Sequence, residues 1–492
     1  MGVLLGIDHG GTTTTCVVVS EGGGIIGRAS TPMNRQTPRA GWVEHDADGF
    51  VDGSLASAHR ALEQAGLDWK DVRAVGIANQ GETSIGWDSR TGRTVAPALS
   101  WQDKRTSSRC DDLRNGGFDE MVQRISGLSI DPYFSASKYS LLASSTDEAR
   151  AARERGTLRL GGTDAYLIDR LTRGASHATD ASSVSRTALM NLDTRDWSDE
   201  LLALWDVPRT ALPRIQPTTS HFGEITHPDV PVAGIPIMAN VVDAHASLFM
   251  HDMWSPNAIK ATLGTGAFIE TSVGSNPIRS DTGLTPFVGW DRAGDTRYVL
   301  EGSVFDVGAA IDWLVDMGLV ESAALTSDVA NLALDSAGLT FVPAFSGLAA
   351  PYWDSDARAA VYGMSLRTRP EHAVRALLEG LARSVAEVVL MLSEASGHDE
   401  PIIKADGGPS QNPFLMQLLA DYVGFPVVVT QEPDITGLGA ACLAGLSAGS
   451  FTHDDLMRMA PSTVDYIPTT NTATRELKRR EWQDAARKLV TR

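Results

Sequence analysis

Cysteine is scarce in this chain: Cys16, Cys110 and Cys442 are the only three in 492 residues. Three widely separated thiols without CxxC spacing exclude a disulfide framework and the common zinc sites, and they suit a reducing compartment. No run of about 18 apolar residues occurs, so no membrane-spanning helix is expected. Positive charge is also short, with 42 Lys and Arg against 61 Asp and Glu, a formal charge of −19. A surface of that sign repels phosphate polymers and anionic lipid, so neither nucleic acid nor membrane is expected as a partner. The opening stretch, Met1 to Asp8, has no basic region followed by a long apolar segment, and Gly6 stands where a myristoylation pattern needs Ser or Thr. A cytoplasmic location is the expectation. What is present, 42% hydrophobic and 21% charged residues, describes a globular chain of two large domains or about three ordinary ones.

The first thirty residues read as a β-meander. Val3–Asp8 is apolar and ends in a carboxylate, Gly10 and Gly11 turn the chain, Cys16–Ser20 is β-branched, and a glycine run leads into Ile25–Ala29. Phe50, Leu55, Ala58 and Leu62 then fall at helical spacing with Gly66 as a stop, before Val72–Ala78 resumes as a strand. The theme returns half a chain later, where Ala258–Leu263 ends at Gly264-Thr265-Gly266 and Phe268–Val273 runs back. One Gly/Thr hairpin used twice predicts two similar halves with mixed sheets and a ligand cleft between them, divided near residue 248 into domains 1–248 and 249–492. Further on, Pro370–Ser393 and Phe414–Val423 read as helices, and Gly437–Gly445 is so rich in Gly and Ala that its backbone must approach a neighbour closely.

Three segments could carry chemistry. In Asp8-His-Gly-Gly-Thr12-Thr13-Thr14, glycine lets successive amides face one oxyanion, threonine hydroxyls add donors, and Asp8 at the strand end could hold Mg²⁺ through water. An ordinary turn capped by its own side chains is the plain alternative, and the second copy at Gly264 and Thr265 weighs against it. Asp406-Gly407-Gly408, between an apolar strand and a helix, leaves bare backbone on which a flat ligand such as adenosine could lie, or marks a turn that needs positive φ. Asp243 follows the apolar segment Ile235–Val242 and opens a helix, where an acid both caps the first turn and could accept a proton from an attacking hydroxyl.

Together with Gly41–Asp46, Asn79-Gln80, Glu82-Thr83, Trp101-Gln102, Asp131–Ser135, Thr179-Asp180, Ser185-Arg186-Thr187, Pro343–Leu348, Ala350–Asp354 and Phe414–Gln417, these segments resemble the FGGY carbohydrate kinases, in particular the glycerol kinase branch, over nearly the whole length. The resemblance implies two actin-like, ribonuclease H-like α/β ATPase domains closing around ATP and a small polyol or sugar. It makes Asp243 the general base and sets Asp8 and Asp243 beside Mg²⁺. It assigns Thr12, Thr13, Thr14, Gly264 and Thr265 to the phosphates, and Gly408 and Asn412 to the adenosine. The substrate wall it implies is Glu82, Trp101, Tyr133, Asp243 and Phe268. Homodimers or homotetramers are common in the family.

The pattern departs at two substrate positions, where Gly81 stands for an Arg and Ala244 for a Gln. Both changes remove donors and reduce side-chain volume, so a four- or five-carbon polyol or ketose is the expected substrate. Glycerol itself and a pentulose such as ribulose or xylulose remain open, as does a nucleotide-binding regulator with little turnover. Thr15 replaces a basic residue of the first phosphate motif, and the segment 226–234 lacks the Arg-bearing loop that binds fructose bisphosphate in some relatives. The histidines show no metal-ligand spacing.

Overall fold

The computed structural model describes residues 2–490 except 281, 293 and 355. In chain order the elements that position the site are strands β1 (Val3–His9), β2 (Thr13–Val19) and β3 (Ile25–Pro32), helix α1 (Asp48–Gln64) and strand β4 (Val72–Asn79). Helix α2 (Ala181–Ser185), strands β5 (Thr219–Ile225) and β6 (Ile235–Val242) and helix α3 (Asp243–Trp254) follow. The second half opens with β7 (Ile259–Leu263), β8 (Ala267–Gly274), β9 (Thr285–Arg292), β10 (Asp295–Val304) and helices α4 (Gly308–Asp316), α5 (Thr326–Asn331) and α6 (Pro370–Ser396). It closes with β11 (Ile403–Asp406), α7 (Pro413–Val423), β12 (Val427–Thr430), α8 (Ile435–Ser447) and β13 (Thr463–Tyr466).

These strands build two mixed sheets on one plan. The first has the order β5-β6-β4-β1-β2-β3 and the second β9-β10-β8-β7-β11-β12-β13. In the first, β1 runs antiparallel to β2 and parallel to β4; in the second, β7 runs antiparallel to β8 and parallel to β11. The predicted repeat of the Gly/Thr hairpin is therefore a repeat of its surroundings too. Both inner strands are buried on both faces, which is why they read as near-continuous apolar runs. The predicted meander, α1 with its stop, and the helices from Pro370 and Asn412 all form close to their expected bounds.

The two halves are stitched together in space. Helix α8 lies against β1, β4 and α3 of the first half. A Cβ on Gly6 would come within 2.0 Å of the Gly437 carbonyl oxygen, one on Gly76 within 2.0 Å of that of Ala440, and one on Gly439 within 2.2 Å of that of Ala246. The close approach expected of the Gly/Ala-rich segment is thus backbone on backbone. From the other side, the β9–β10 hairpin of the second half sends Phe287, Val288 and Tyr298 into the core formed by residues 95–212. The Val288 amide donates to Ser185 Oγ at 3.1 Å and the Tyr298 hydroxyl to the Leu192 carbonyl at 3.1 Å. That packing brings Arg186, just after α2, against Glu301 on β10. Among the described residues no helix is long and apolar enough to cross a membrane.

Candidate active site

The two Gly/Thr tips are alike in exposure and differ in support. In the first, the Gly10 amide donates to the Thr13 carbonyl at 3.1 Å, leaving Thr12 and Thr13 exposed at the tip. Thr14 is turned the other way: its buried hydroxyl lies 2.9 Å from His9 Nδ1, behind the turn, so only Thr12 and Thr13 of the expected phosphate threonines present side chains outward. Burial holds His9 neutral by lowering its pKa to about 3. A Cβ on Gly11 would sit 3.3 Å from Gln80 Oε1 and 3.6 Å from Trp101 Nε1, so this tip adjoins Gln80 and, of the expected substrate wall, Trp101. The Gln80 side-chain amide is buried, and both its polar atoms lack a partner among the described residues.

In the second tip the Gly264 amide donates to the Gly266 carbonyl at 2.7 Å, and the carbonyls of Gly264 and Thr265 accept from Gly308, Val307 and Ala309 at the start of α4. Gly264 and Thr265 stay exposed. The adenosine candidates adjoin this tip. Gly407 has φ 86°, and a Cβ there would fall 2.1 Å from the Leu263 carbonyl oxygen, so glycine is required on both counts. Gly408 presents bare backbone with nothing within 4 Å of where its Cβ would stand. The Asn412 side chain is engaged internally, accepting from the Leu415 amide at 2.9 Å as the cap of α7 and donating to Thr326 Oγ1 at 2.9 Å.

Asp8 lies one residue before the end of β1 and Asp243 begins α3, and both are half-buried acids. Burial, and then the negative charge of Asp243, push the Asp8 carboxyl well above the usual carboxylate range. Burial raises Asp243 as well, opposed by the Ala244 amide, which donates to its Oδ1 at 2.7 Å, and by the charges of Arg186 and Lys260. A divalent ion that favours one or two carboxylates would relieve the repulsion felt by Asp8, so the pair fits Mg²⁺.

The substrate wall is assembled around an ion network that the sequence did not announce. Arg186 donates from Nε to Glu82 Oε1, from Nη1 to Glu301 Oε2 at 2.9 Å, and from Nη2 to Glu301 Oε1 at 3.1 Å. Its guanidinium lies 4.0 Å over the Phe287 ring, and Nη2 reaches Tyr133 Oη at 3.5 Å. Tyr133 and Trp101 meet edge to face at 5.8 Å. Lys138 fixes the Tyr133 loop by donating to the carbonyls of Pro132, Tyr133 and Phe134 at 2.7, 2.7 and 3.2 Å, with burial lowering its pKa to about 8. Glu82 is held at φ 59°, an uncommon conformation for a side-chain-bearing residue, and burial pushes its carboxyl up to about 7 against the pull of Arg186.

The volume expected from Gly81 is not free space. A Cβ at that position would meet Arg186 Cδ at 2.9 Å and Nε at 3.0 Å, so Arg186 fills the gap from the opposite side. At the other departure, Lys260 Nζ donates to the Ala244 carbonyl at 3.3 Å. Phe268 is paired with Ser303 across β8 and β10, two rows from the pair Glu270 and Glu301 and on the same face, and Lys260 faces Glu270 across β7 and β8. His245 also joins this group, its ligand-capable nitrogen within 4.8 Å of oxygens of Glu270 and Glu301. Lys260 lies 3.7 Å from Glu270 and Arg186 clasps Glu301, so both carboxylates already have cations and the cluster reads as a charge network. The sequence signals that could have found it were two charges, Lys260 and Glu270, inside otherwise buried strands, and the arginine of the block Ser185-Arg186-Thr187.

Two sheets built on one strand plan, each with a Gly/Thr tip at the end of an inner strand, are the architecture of the actin-like ATPases, and this chain is of that class. Within it, the N-terminal domain of the FGGY family of carbohydrate kinases matches residues 3–250, and the C-terminal domain of that family matches residues 259–448. The chain belongs to the FGGY family and is a phosphotransferase with an alcohol group as acceptor. It is 37% identical to glycerol kinase 2 of Thermotoga maritima, over 99% of this chain and 98% of that protein, and 38% identical to the glycerol kinase of Pseudothermotoga lettingae, over 98% and 97%. Among solved structures it is similar to Plasmodium falciparum glycerol kinase with ADP, at a TM-score of 0.93 and 28% identity over 100% of this chain and 99% of the other. A gluconate kinase from Lactobacillus acidophilus shares the fold, at a TM-score of 0.89 and 24% identity over 100% and 98%.

Proposed function

We propose that this chain transfers the γ-phosphoryl group of ATP to a primary hydroxyl of a small neutral polyol or ketose, of four or five carbons rather than three. The observation that carries the reading is that Gly11, in the first phosphate tip, adjoins Trp101 of the substrate wall, whose Nε1 lies 3.6 Å from where a Gly11 Cβ would stand. A nucleotide held by Thr12, Thr13, Gly264 and Thr265, with Gly408 beside its adenosine, would present its terminal phosphate to that wall. Asp243 takes the hydroxyl proton as the new oxygen–phosphorus bond forms, the bond from the γ-phosphorus to the β,γ-bridging oxygen breaks, and ADP leaves with that electron pair. Asp8 and Asp243 would hold Mg²⁺, which supplies charge neutralisation at the phosphates. Trp101, Tyr133 and Phe268 cover the carbon chain, and Glu82 accepts hydrogen bonds from hydroxyls. Three free, buried cysteines suit the cytoplasmic site of action that goes with this reading.

Loss of the donor at Ala244 supports the longer substrate, because a glycerol hydroxyl left without a partner costs about 1–3 kcal/mol, whereas the space at Gly81 is taken by Arg186. Phosphorylation rates across C3 to C6 polyols and ketoses test this: a C4 or C5 compound should have the highest kcat/KM, and a maximum at glycerol overturns it. Asp243→Asn should abolish substrate-dependent turnover while ATP still binds. Substantial turnover in that variant would remove Asp243 from its role as base.

A further inference from the structure

We infer that Arg186 is a substrate-binding residue that selects neutral diols, a role that rests on the kinase reading above but that no feature of the phosphate tips requires. A guanidinium has five N–H donors in a fixed plane. The Nε–H goes to Glu82, Nη1 donates to Glu301 Oε2 at 2.9 Å, and Nη2 lies within reach of both Glu301 oxygens, at 3.0 and 3.1 Å, and of Tyr133 Oη at 3.5 Å. Among the described residues that leaves the second Nη1 hydrogen without an acceptor and the second Nη2 hydrogen with no better partner than Tyr133 or a shared Glu301 oxygen. The group cannot swing away to satisfy them, since two carboxylates and the Phe287 ring fix its plane and its side chain is only 4% exposed.

The partners of this arginine define the ligand. Glu82 beside it offers acceptor lone pairs, so adjacent hydroxyls can each accept from Arg186 and donate to Glu82, the reciprocal pattern a vicinal diol makes. Two carboxylates on one guanidinium leave the cluster without surplus positive charge, so a sugar acid would bring its anion against Glu82 and Glu301. The cluster fits a neutral polyhydroxyl chain and discriminates against a carboxylate of the same length.

Position 81 supplies the test. Because a Cβ there meets Arg186 at 2.9 Å, an arginine at 81 and one at 186 compete for the same volume, and a guanidinium from 81 can enter only once 186 is shortened. In Arg186→Ala the KM for the best polyol should rise roughly tenfold or more, the worth of one or two charged hydrogen bonds, with the KM for ATP within about twofold. Adding Gly81→Arg to that variant should recover a substantial part of the loss, which would not follow if Arg186 only braced the two halves. The matching aldonic acid should be a poor substrate of the wild type and gain relative to the polyol in Glu301→Gln. An unchanged polyol KM in a folded Arg186→Ala protein, or a double variant no better than it, overturns the inference. Should Arg186→Ala not fold, Arg186→Lys decides, and an unchanged polyol KM there overturns it equally. A wild type that phosphorylates no polyol or ketose would instead defeat the kinase reading itself.

Discussion

Asp8 carries an electrostatic load in the absence of nucleotide. It is withdrawn from water and feels the negative charge of Asp243, and both effects raise its pKa. Between the ordinary carboxylate range and that raised value the folded chain binds more protons than the unfolded one, so stability falls as pH rises through this window. The contribution is fully present below the unfolded pKa, about 4. Asp8→Asn removes it. The variant should melt higher than the wild type at pH 7 to 8 without ligand, and the difference should shrink on acidification towards pH 4. Mg²⁺ with nucleotide should raise the wild-type melting temperature by more than the variant's. Thermal melting across pH, with and without Mg-nucleotide, reads all three, and a variant less stable than wild type at pH 8 contradicts the account. Asp8 was legible in the sequence because a carboxylate closing an apolar strand is conspicuous. Arg186 drew attention only as part of a motif, since its role depends on Glu301, which lies 115 residues away and reaches it through the packing of another hairpin.

At the scale of elements, α8 shows two principles in opposition. Gly437, Gly439 and Gly445 lie inside a helix, where each Gly→Ala change should add about 1 kcal/mol by propensity. At Gly439 a Cβ would come within 2.2 Å of the Ala246 carbonyl oxygen, the neighbour being backbone of α3 that cannot rotate away. Overpacking of that kind typically costs 1–3 kcal/mol, and more when backbone must shift, so the clash wins. Gly439→Ala should therefore destabilise by about 1–3 kcal/mol in urea titration, and because α3 begins at Asp243 it should also lower kcat. A stabilised, fully active variant would show that the helix has room to move. The composition of this segment predicted the close approach. Its partner was hidden, because which backbone lies opposite a glycine stripe is set by a crossover nearly 200 residues long. The same limit explains Thr14: four threonines in a row are equivalent as letters, and only the pleat of β2 turns Thr14 behind the hairpin.

The whole molecule divides differently along the chain than in space. The repeated hairpin made two similar halves legible, because a repeat leaves its mark in sequence, whereas the expected boundary at residue 248 falls inside helix α3, Asp243–Trp254. What the repeat does not record is that α8, from the second half, covers β1, β4 and α3 of the first. Leu4, Val17, Ala74, Ala78, Val241 and Leu248 share one apolar cluster with Ile435, Leu438, Ala441 and Leu443. Cut at 248, the first half would expose that face to water. At about 25 cal/mol per Å² of apolar surface, the loss of a whole helix–sheet contact is comparable with the 5–15 kcal/mol that holds an average domain folded. Residues 1–248 expressed alone should consequently aggregate or bind a hydrophobic dye. The full chain should melt with its two halves coupled, so that ATP, if it lies beside Gly408 of the second half as proposed, also raises the protection of β1 and β4 amides in hydrogen exchange. A soluble, dye-negative first half with native-like exchange would show that α8 is dispensable to it, and that the two halves are joined at the ion network of Arg186 and Glu301 rather than through a shared core.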